Sequence, residues 1–235
     1  ISKLLKKFNI DMVVAFDIVA VSQCYNIKKV KKIVWLGDLR FQTNFYNFYM
    51  NLKSNFFLIR QSIYIFYQNY LFKKKYVKYL KPMDKIIVSS KSSETHLKKI
   101  GINSKFLPYP WPISFSLKEK IKQQILEFVF FGNLAGLGSK SAISELFNNV
   151  YPILKKEIGE KKFRINIAGS NYKKSFLQKI ELKKFPEIFF YGFIDKLEIL
   201  FNRSIAIIFP GSIPVGNRCR LITCMASGLP IIADI

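Results

Sequence analysis

The stretch Ser204–Asp234, SIAIIFPGSIPVGNRCRLITCMASGLPIIAD, decides how this chain is read. Ile205 to Phe209 is an apolar run short enough to be a buried strand, and Pro210 to Gly216 is a loop rich in Gly and Pro. A short helix follows from Asn217 to Gly228, then a second apolar strand from Leu229 to Ala233. Asn217 is a good N-cap, Gly228 suits the left-handed position past a helix end, and Pro230 stops the helix from continuing. A strand, a glycine loop and a helix in that order direct unpaired backbone N–H groups and a positive helix end at a sheet's carboxyl edge. That geometry binds phosphate. Arg218 and Arg220 fall on the predicted first turn, where each guanidinium can add charge-assisted hydrogen bonds to the same anion.

The residues before this stretch repeat the alternation. Strands are expected at Phe128–Phe131, Phe163–Ala168 and Ile188–Tyr191, leaving through Gly132-Asn133, Gly169-Ser170 and Gly192-Phe193. Helices are expected over Ser139–Glu157, Lys173–Leu182 and Lys196–Phe201. Four βα units with glycine at strand exits predict a Rossmann-like parallel sheet. Each glycine taken alone is equally explained by a tight turn. The Gly132–Gly138 loop fits neither G-x-G-x-x-G nor the Walker pattern. Their order along the chain, ending in Arg218 and Arg220, is what singles them out.

The first half is patterned in the same way. Met12–Phe16, Lys32–Leu36 and Lys85–Ser89 read as strands, with helices over Asp17–Tyr25 and Ser92–Ile100. A long helix is expected from Asn55 to Leu80, with Ile59, Ile63, Phe66, Tyr67, Tyr70 and Leu71 as its apolar stripe. It ends in the lysine cluster Lys73, Lys74, Lys75, Lys78 and Lys81. Packing of the stripe into a core is the plainer reading of this helix. The other is that it lies on an anionic membrane surface. The run Phe106–Pro112 holds three prolines and fits neither a central strand nor a helix. The predicted organisation is therefore a first domain over 1–112, a linker over 113–127, and a second domain over 128–235.

Composition bounds the function. The 235 residues carry 38 Lys+Arg against 15 Asp+Glu, a formal charge of +23, and a hydrophobic fraction of 50%. Such a chain builds a core and favours anionic partners. The abundance of Lys, Ile, Asn, Phe and Tyr together is also what an AT-rich genome produces. The cations are spread along the whole chain, so nucleic acid is not the expected partner. Three cysteines without C-x2-C spacing give no disulfide framework, as in a reduced, cytoplasmic compartment. No apolar run is long enough to span a membrane. The last strand ends the sequence without a closing helix, so a fragment of a longer protein is expected, with its second domain incomplete. The single histidine, His96, reads as a helix-surface residue and supports no triad. No Asp-x-Asp pair is present, so no metal site is expected.

The segment Gly216-x-Arg218-x-Arg220, an apolar pair, then Met225-Ala226-x-Gly228-x-Pro230 resembles the donor-site signature of the group 1 (family 4) glycosyltransferases. Gly132-Asn133, Gly169-Ser170 and Gly192-Phe193-Ile194 resemble that family's strand exits in the same order. The resemblance is specific from Phe128 to Asp234 and loose before Pro108. It implies two Rossmann-like domains facing each other across a cleft, the GT-B arrangement. It also implies a retaining sugar transferase that uses a nucleotide-sugar as donor substrate and needs no cofactor. By the resemblance, the acceptor is a glycan or lipid-linked molecule, and the enzyme works in the cytoplasm or at the inner membrane face.

Carried over residue by residue, Arg218, Arg220, Gly216, Asn217, Gly132 and Asn133 would hold the donor diphosphate. Gly192, Phe193, Ile194 and Thr223 would surround the base and ribose, and Gly211 and Ser212 would form the sugar-side loop. Asp38, after Gly37 in the first domain, reads either as an acceptor contact or as a plain turn residue. The sequence departs from the family at two acids: Val215 and Thr223 stand where it has glutamates, and Asn133 replaces an arginine. A non-catalytic binding or scaffold protein is the alternative those departures raise, and a basic nucleic-acid-binding protein a more distant one.

Overall fold

Strands joined through helical crossovers pair in parallel, and the computed structural model of the chain holds two such sheets. It describes residues 2–54, 59–108, 125–158, 162–172, 177, 180–211, 213, 215 and 219–233. The chain divides near residue 110 into two compact units.

The first unit runs α1 (Ser2–Lys7), β1 (Met12–Phe16), α2 (Asp17–Cys24), β2 (Lys31–Leu36), α3 (Arg40–Ser54), α4 (Ile59–Leu80), β3 (Lys85–Val88), α5 (Lys91–Lys99) and β4 (Lys105–Phe106). Its strands are parallel and ordered β1-β2-β3-β4, with Phe16 opposite Trp35. Among the described strands this order never reverses, so the unit shows one half of a doubly wound sheet. Helix α5 begins where Ser90 Oγ accepts the Ser93 N–H at 3.1 Å. It closes at Gly101, whose φ of +76° an L side chain would resist.

One reading of this unit is corrected, and one helix adds to it: α3 fills Arg40–Ser54, for which the sequence pattern predicted no element, Asn44, Asn47 and Asn51 lowering its helix propensity. In α4 the side that enters the core carries Asn69, Tyr76 and Leu80, with Phe72 partly buried beside them. Three residues of the predicted stripe point the other way, Phe66 being 73% exposed, Tyr67 56% and Tyr70 51%; Leu71 is half-buried, and the side chains of Ile59 and Ile63 lie outside the described ones. The helix holds two apolar stripes about half a turn apart. Asn69 disguised the one that packs, and its spacing alone could not choose between them.

The second unit runs β5 (Leu126–Asn133), α6 (Leu137–Glu145), a π-helical stretch (Leu146–Val150), α7 (Tyr151–Ile158) and β6 (Phe163–Ser170). A 3₁₀ turn (Leu182–Lys184), β7 (Ile188–Gly192), α8 (Glu198–Phe201), β8 (Ala206–Phe209), α9 (Cys219–Ala226) and β9 (Ile231–Ala233) complete it. The five parallel strands are ordered β7-β6-β5-β8-β9. The chain therefore winds outward from β5 in one direction and then, from β8, in the other. The carboxyl ends of β5 and β8 form the switch point where open α/β sheets bind ligands.

Strand β5 is buried on both faces, as a central parallel strand must be. Phe128 and Phe130 pack with Ile143, Leu146 and Ile165 on one side. Val129 and Phe131 pack with Leu200, Phe201 and Ile207 on the other. The strand begins two residues before the predicted Phe128, so Leu126 and Glu127, read as linker, belong to it. Glu127 misled because it is charged, but its buried carboxylate has partners. It accepts from Asn166 Nδ2 at 2.8 Å and pairs with Arg203 at 3.1 Å and Arg164 at 3.5 Å.

The long helix expected after β5 is interrupted by the π stretch. Pro152 has no N–H to give to Asn148, and its ring crowds that carbonyl; widening the preceding turn accommodates both. Most of the helix expected at Lys173–Leu182 lies outside the described residues, although Leu177 is buried in the core.

Candidate functional site

The site is built where β5 leaves the sheet. Gly132 takes a φ of +139°, a region disfavoured for L side chains. The chain then turns through Asn133, Leu134 and Ala135 into α6, whose N-cap, Gly136, makes no side-chain capping bond. A helix start leaves its first N–H groups without partners in the helix, and α6 turns them and its positive dipole end toward the same edge.

Arg220, in the first turn of α9, reaches across to this turn. Its Nη1 donates to the Phe131 carbonyl at 3.1 Å and to Ser139 Oγ at 2.8 Å. Its Cζ lies 4.5 Å from the Phe209 ring centroid, so the guanidinium also stacks on the last residue of β8. A Cβ on Gly132 would stand 2.5 Å from Nη1 and 2.6 Å from Cδ, and one on Gly138 3.5 Å from Nη2. At Gly132 something must shift to admit a side chain, whereas at Gly138 a Cβ would make ordinary contact. The neighbouring strand keeps the same economy, because a Cβ on Gly169 would fall into the Gly132 carbonyl oxygen. Gly211, after β8, is buried with Phe209 at 3.2 Å and Ala142 at 3.6 Å from its would-be Cβ.

A guanidinium and a helix N-terminus therefore converge at the switch point between β5 and β8. Two positive ends brought together at a glycine-lined edge suit a polyanion, and a planar five-donor fork suits the oxygens of a diphosphate. Cys224, one turn along α9, is fully buried. Burial pushes its thiol up to about 11 despite the nearby Arg220 charge. It packs as a small apolar side chain rather than serving as a nucleophile.

Of the other predicted residues, Asn133 is occupied locally. Its Oδ1 accepts from Ala135 N at 3.2 Å and from Asn171 Nδ2 at 3.1 Å, which holds the β5 and β6 exits together. Gly192 ends β7 with a φ of +69°, and Phe193 beside it is 72% exposed. Ile194 packs against the apolar cluster of Phe131 and Phe201. Thr223 is buried on α9. Gly216, Asn217, Arg218 and Ser212 lie outside the described residues. The chain alone did not single out Ser139 and Phe209, which seat the Arg220 fork. The signal for Ser139 was its place one turn after the Gly132 exit, and for Phe209 its place as the last residue of a strand.

In the first unit, Asp38 is exposed just beyond β2 and lines a cavity of 440 Å³ with Phe16, Asp17, Trp35 and Arg40. Asp17 pairs with Arg40 at 3.4 Å. His96 is half-buried on α5, with Nδ1 2.8 Å from the Ser92 carbonyl. Among the described residues no group of three His, Cys, Asp or Glu could hold a metal ion. No described helix is long and apolar enough to cross a membrane.

Residues 126–234 match the sequence profile of the family described as "Glycosyl transferases group 1". No curated protein sequence matches the chain. Among solved structures, TarM of S. aureus superposes with a TM-score of 0.68 at 10% identity, over 98% of this chain and 43% of that one. HepE of Anabaena, solved with UDP and glucose, gives 0.62 at 12% identity over 99% and 61%. The pneumococcal O-GlcNAc transferase GtfA, solved with UDP and GlcNAc, gives 0.58 at 13% over 98% and 44%. The chain thus shares their fold while spanning less than two thirds of the length of each.

Proposed function

We propose that this chain, whose residues 126–234 match the group 1 glycosyl transferase profile, binds a nucleotide-sugar and transfers its sugar to a glycan or lipid-linked acceptor. The single observation that carries this reading is the Arg220 guanidinium seated under Gly132 at the start of α6. The solved complexes of HepE and GtfA with UDP support a uridine nucleotide as the first donor to try.

In the reaction the bond from the sugar's anomeric carbon to the diphosphate oxygen breaks, and a bond to an acceptor oxygen forms. Negative charge grows on the departing diphosphate. Arg220, the α6 N-terminus and, two residues earlier in sequence, Arg218 would stabilise that charge more in the transition state than in the ground state. The chain has no Asp-x-Asp pair, so we assign this charge to guanidinium and helix end without a metal. We assign the acceptor proton to the departing phosphate, on the face it leaves, so that configuration is retained. The exposed Phe193 and the Gly192 turn are assigned to the base, Thr223 to the ribose side, and Gly211 with Ser212 to the sugar side. Asp38 is assigned to the acceptor. No cofactor beyond the donor is invoked, and the working place is the cytoplasm or the inner face of its membrane.

One observation favours a second reading. Thr223, a buried hydroxyl, stands where the family has a ribose-holding glutamate, as a protein that binds without catalysing would tolerate. Incubating the full chain with UDP-glucose and UDP-GlcNAc, with glycan and lipid-linked acceptors, separates the two. Nucleoside diphosphate released in step with a glycosylated product supports the transferase. Saturable nucleotide binding with no product supports the binding protein.

A further inference from the structure

Helix α4 is buried along one side and aromatic along the other, and among the described residues of its unit nothing covers that second side. Phe66, Tyr67 and Tyr70 stand more than half exposed, with Tyr64 at 63%. Continuing by three and four residues, the same side carries Lys74 and Lys78, with Lys73 and Lys75 beside them, all solvent-exposed. Lys74 Nζ rests 4.6 Å from the Tyr70 ring centroid, so the aromatic and cationic parts are contiguous. On α3, which packs against α4, Phe45 and Tyr49 add two exposed rings four residues apart. No Asp or Glu occurs between Asp38 and Asp84.

We propose that this outward side of α4, extended by Phe45 and Tyr49, docks on an anionic lipid bilayer. It extends the membrane-face placement given above by naming the surface, and it does not depend on the donor site. An exposed contiguous aromatic patch of this kind marks an interaction surface. Charge complementarity selects the occupant. A second copy of the chain would bring an acid-free lysine cluster against another, with nothing to balance it. A nucleic acid would need cations interleaved with the rings, but no charge occurs from Gln61 to Phe72. The separation along the axis fits a bilayer. The ring-bearing end enters the headgroup–acyl boundary, where Tyr and Phe are favoured, and the lysine end stays at the level of the lipid phosphates, its stems lying along the apolar surface.

The test is co-sedimentation of the full chain with vesicles of phosphatidylcholine alone and of phosphatidylcholine with about one-third phosphatidylglycerol. Each lysine near such a surface contributes on the order of fivefold in affinity, so Lys73→Gln/Lys74→Gln/Lys78→Gln should weaken binding to the anionic vesicles by roughly 100-fold. Phe66→Ser/Tyr67→Ser/Tyr70→Ser should release the chain at a salt concentration that still leaves wild type partly bound. The charge-matched Lys28→Gln/Lys29→Gln/Lys31→Gln should bind like wild type. Tyr70→Ser removes the ring under Lys74 Nζ, and the lysine substitutions remove the cation–π contacts of Lys73, Lys74 and Lys78; circular dichroism confirms that each variant is folded. The proposal is overturned if the folded chain ignores anionic vesicles, or if the control loses as much as the α4 lysine variant. It is equally overturned if the aromatic variant only abolishes a dimer, or if the lysine variant only weakens binding to a DNA duplex. UDP titration of the same variants should be unchanged, which keeps this failure separate from that of the donor site.

Discussion

Arg220 lies beneath Gly132: a Cβ at that glycine would stand 2.5 Å from the guanidinium Nη1. The absence of a side chain at one strand exit is therefore what admits the charged end of a side chain from a helix far along the chain. Turn, helix start and guanidinium form one unit, and altering any of the three should disturb the others.

Gly132→Ala forces either the guanidinium or the β5 exit to move, and it puts an L side chain at a φ of +139°. The expected cost is about 1–3 kcal/mol of stability, read as a lower midpoint in urea. Nucleotide binding should fall further than stability alone explains. A variant as stable as wild type would show that Arg220 moves aside freely.

Ser139→Ala removes one of the two described acceptors of Nη1 while leaving the charge in place. Donor affinity should weaken by about 1 kcal/mol, less than for loss of the guanidinium itself. Isothermal titration of the two variants side by side gives the ordering.

At the opposite edge of the same sheet, Glu127→Ala should destabilise by about 2–4 kcal/mol, since it strips Asn166 and two arginines of their common acceptor. The lower part of that range is expected because Arg164 and Arg203 keep some access to water. Glu127→Gln preserves an acceptor for Asn166 and should cost less. Equal effects in the two variants would mean the charge pairing carries all of it.

The strands of the second unit were legible because a central parallel strand is apolar on both faces, and Phe128–Phe131 is so throughout. The Gly132 exit and Arg220 stood out by their order along the chain, and the fold brings the two together. What seats Arg220 was not, because Phe131, Ser139 and Phe209 meet it only once the sheet has folded. Glu127 and Asn69 were misread for a related reason: each is a polar residue in an apolar frame, and only its partners or its burial disclose that it packs. The outward side of α4 failed differently, since both of its faces are periodic and apolar.

Tyr76 supplies a pH signature for the first unit. Its hydroxyl accepts the Arg40 N–H at 3.1 Å, and burial pushes its pKa from 10.0 up to about 12. The folded pKa is the raised one, so its contribution is complete below pH 10 and is lost as pH rises toward 12. Relative to Tyr76→Phe, wild type should therefore lose stability over that interval in denaturant melts. Parallel pH profiles for the two would contradict the assignment.

The central claim, that β5, α6 and Arg220 hold a diphosphate, is tested most directly by titrating the full chain with uridine, UMP and UDP. Wild type should bind UDP at least about tenfold more tightly than UMP, and Arg220→Ala should lose roughly 1.5–3 kcal/mol toward UDP with little change toward uridine. Equal affinity for UDP and uridine, or a folded Arg220→Ala variant that binds UDP as wild type does, would contradict it.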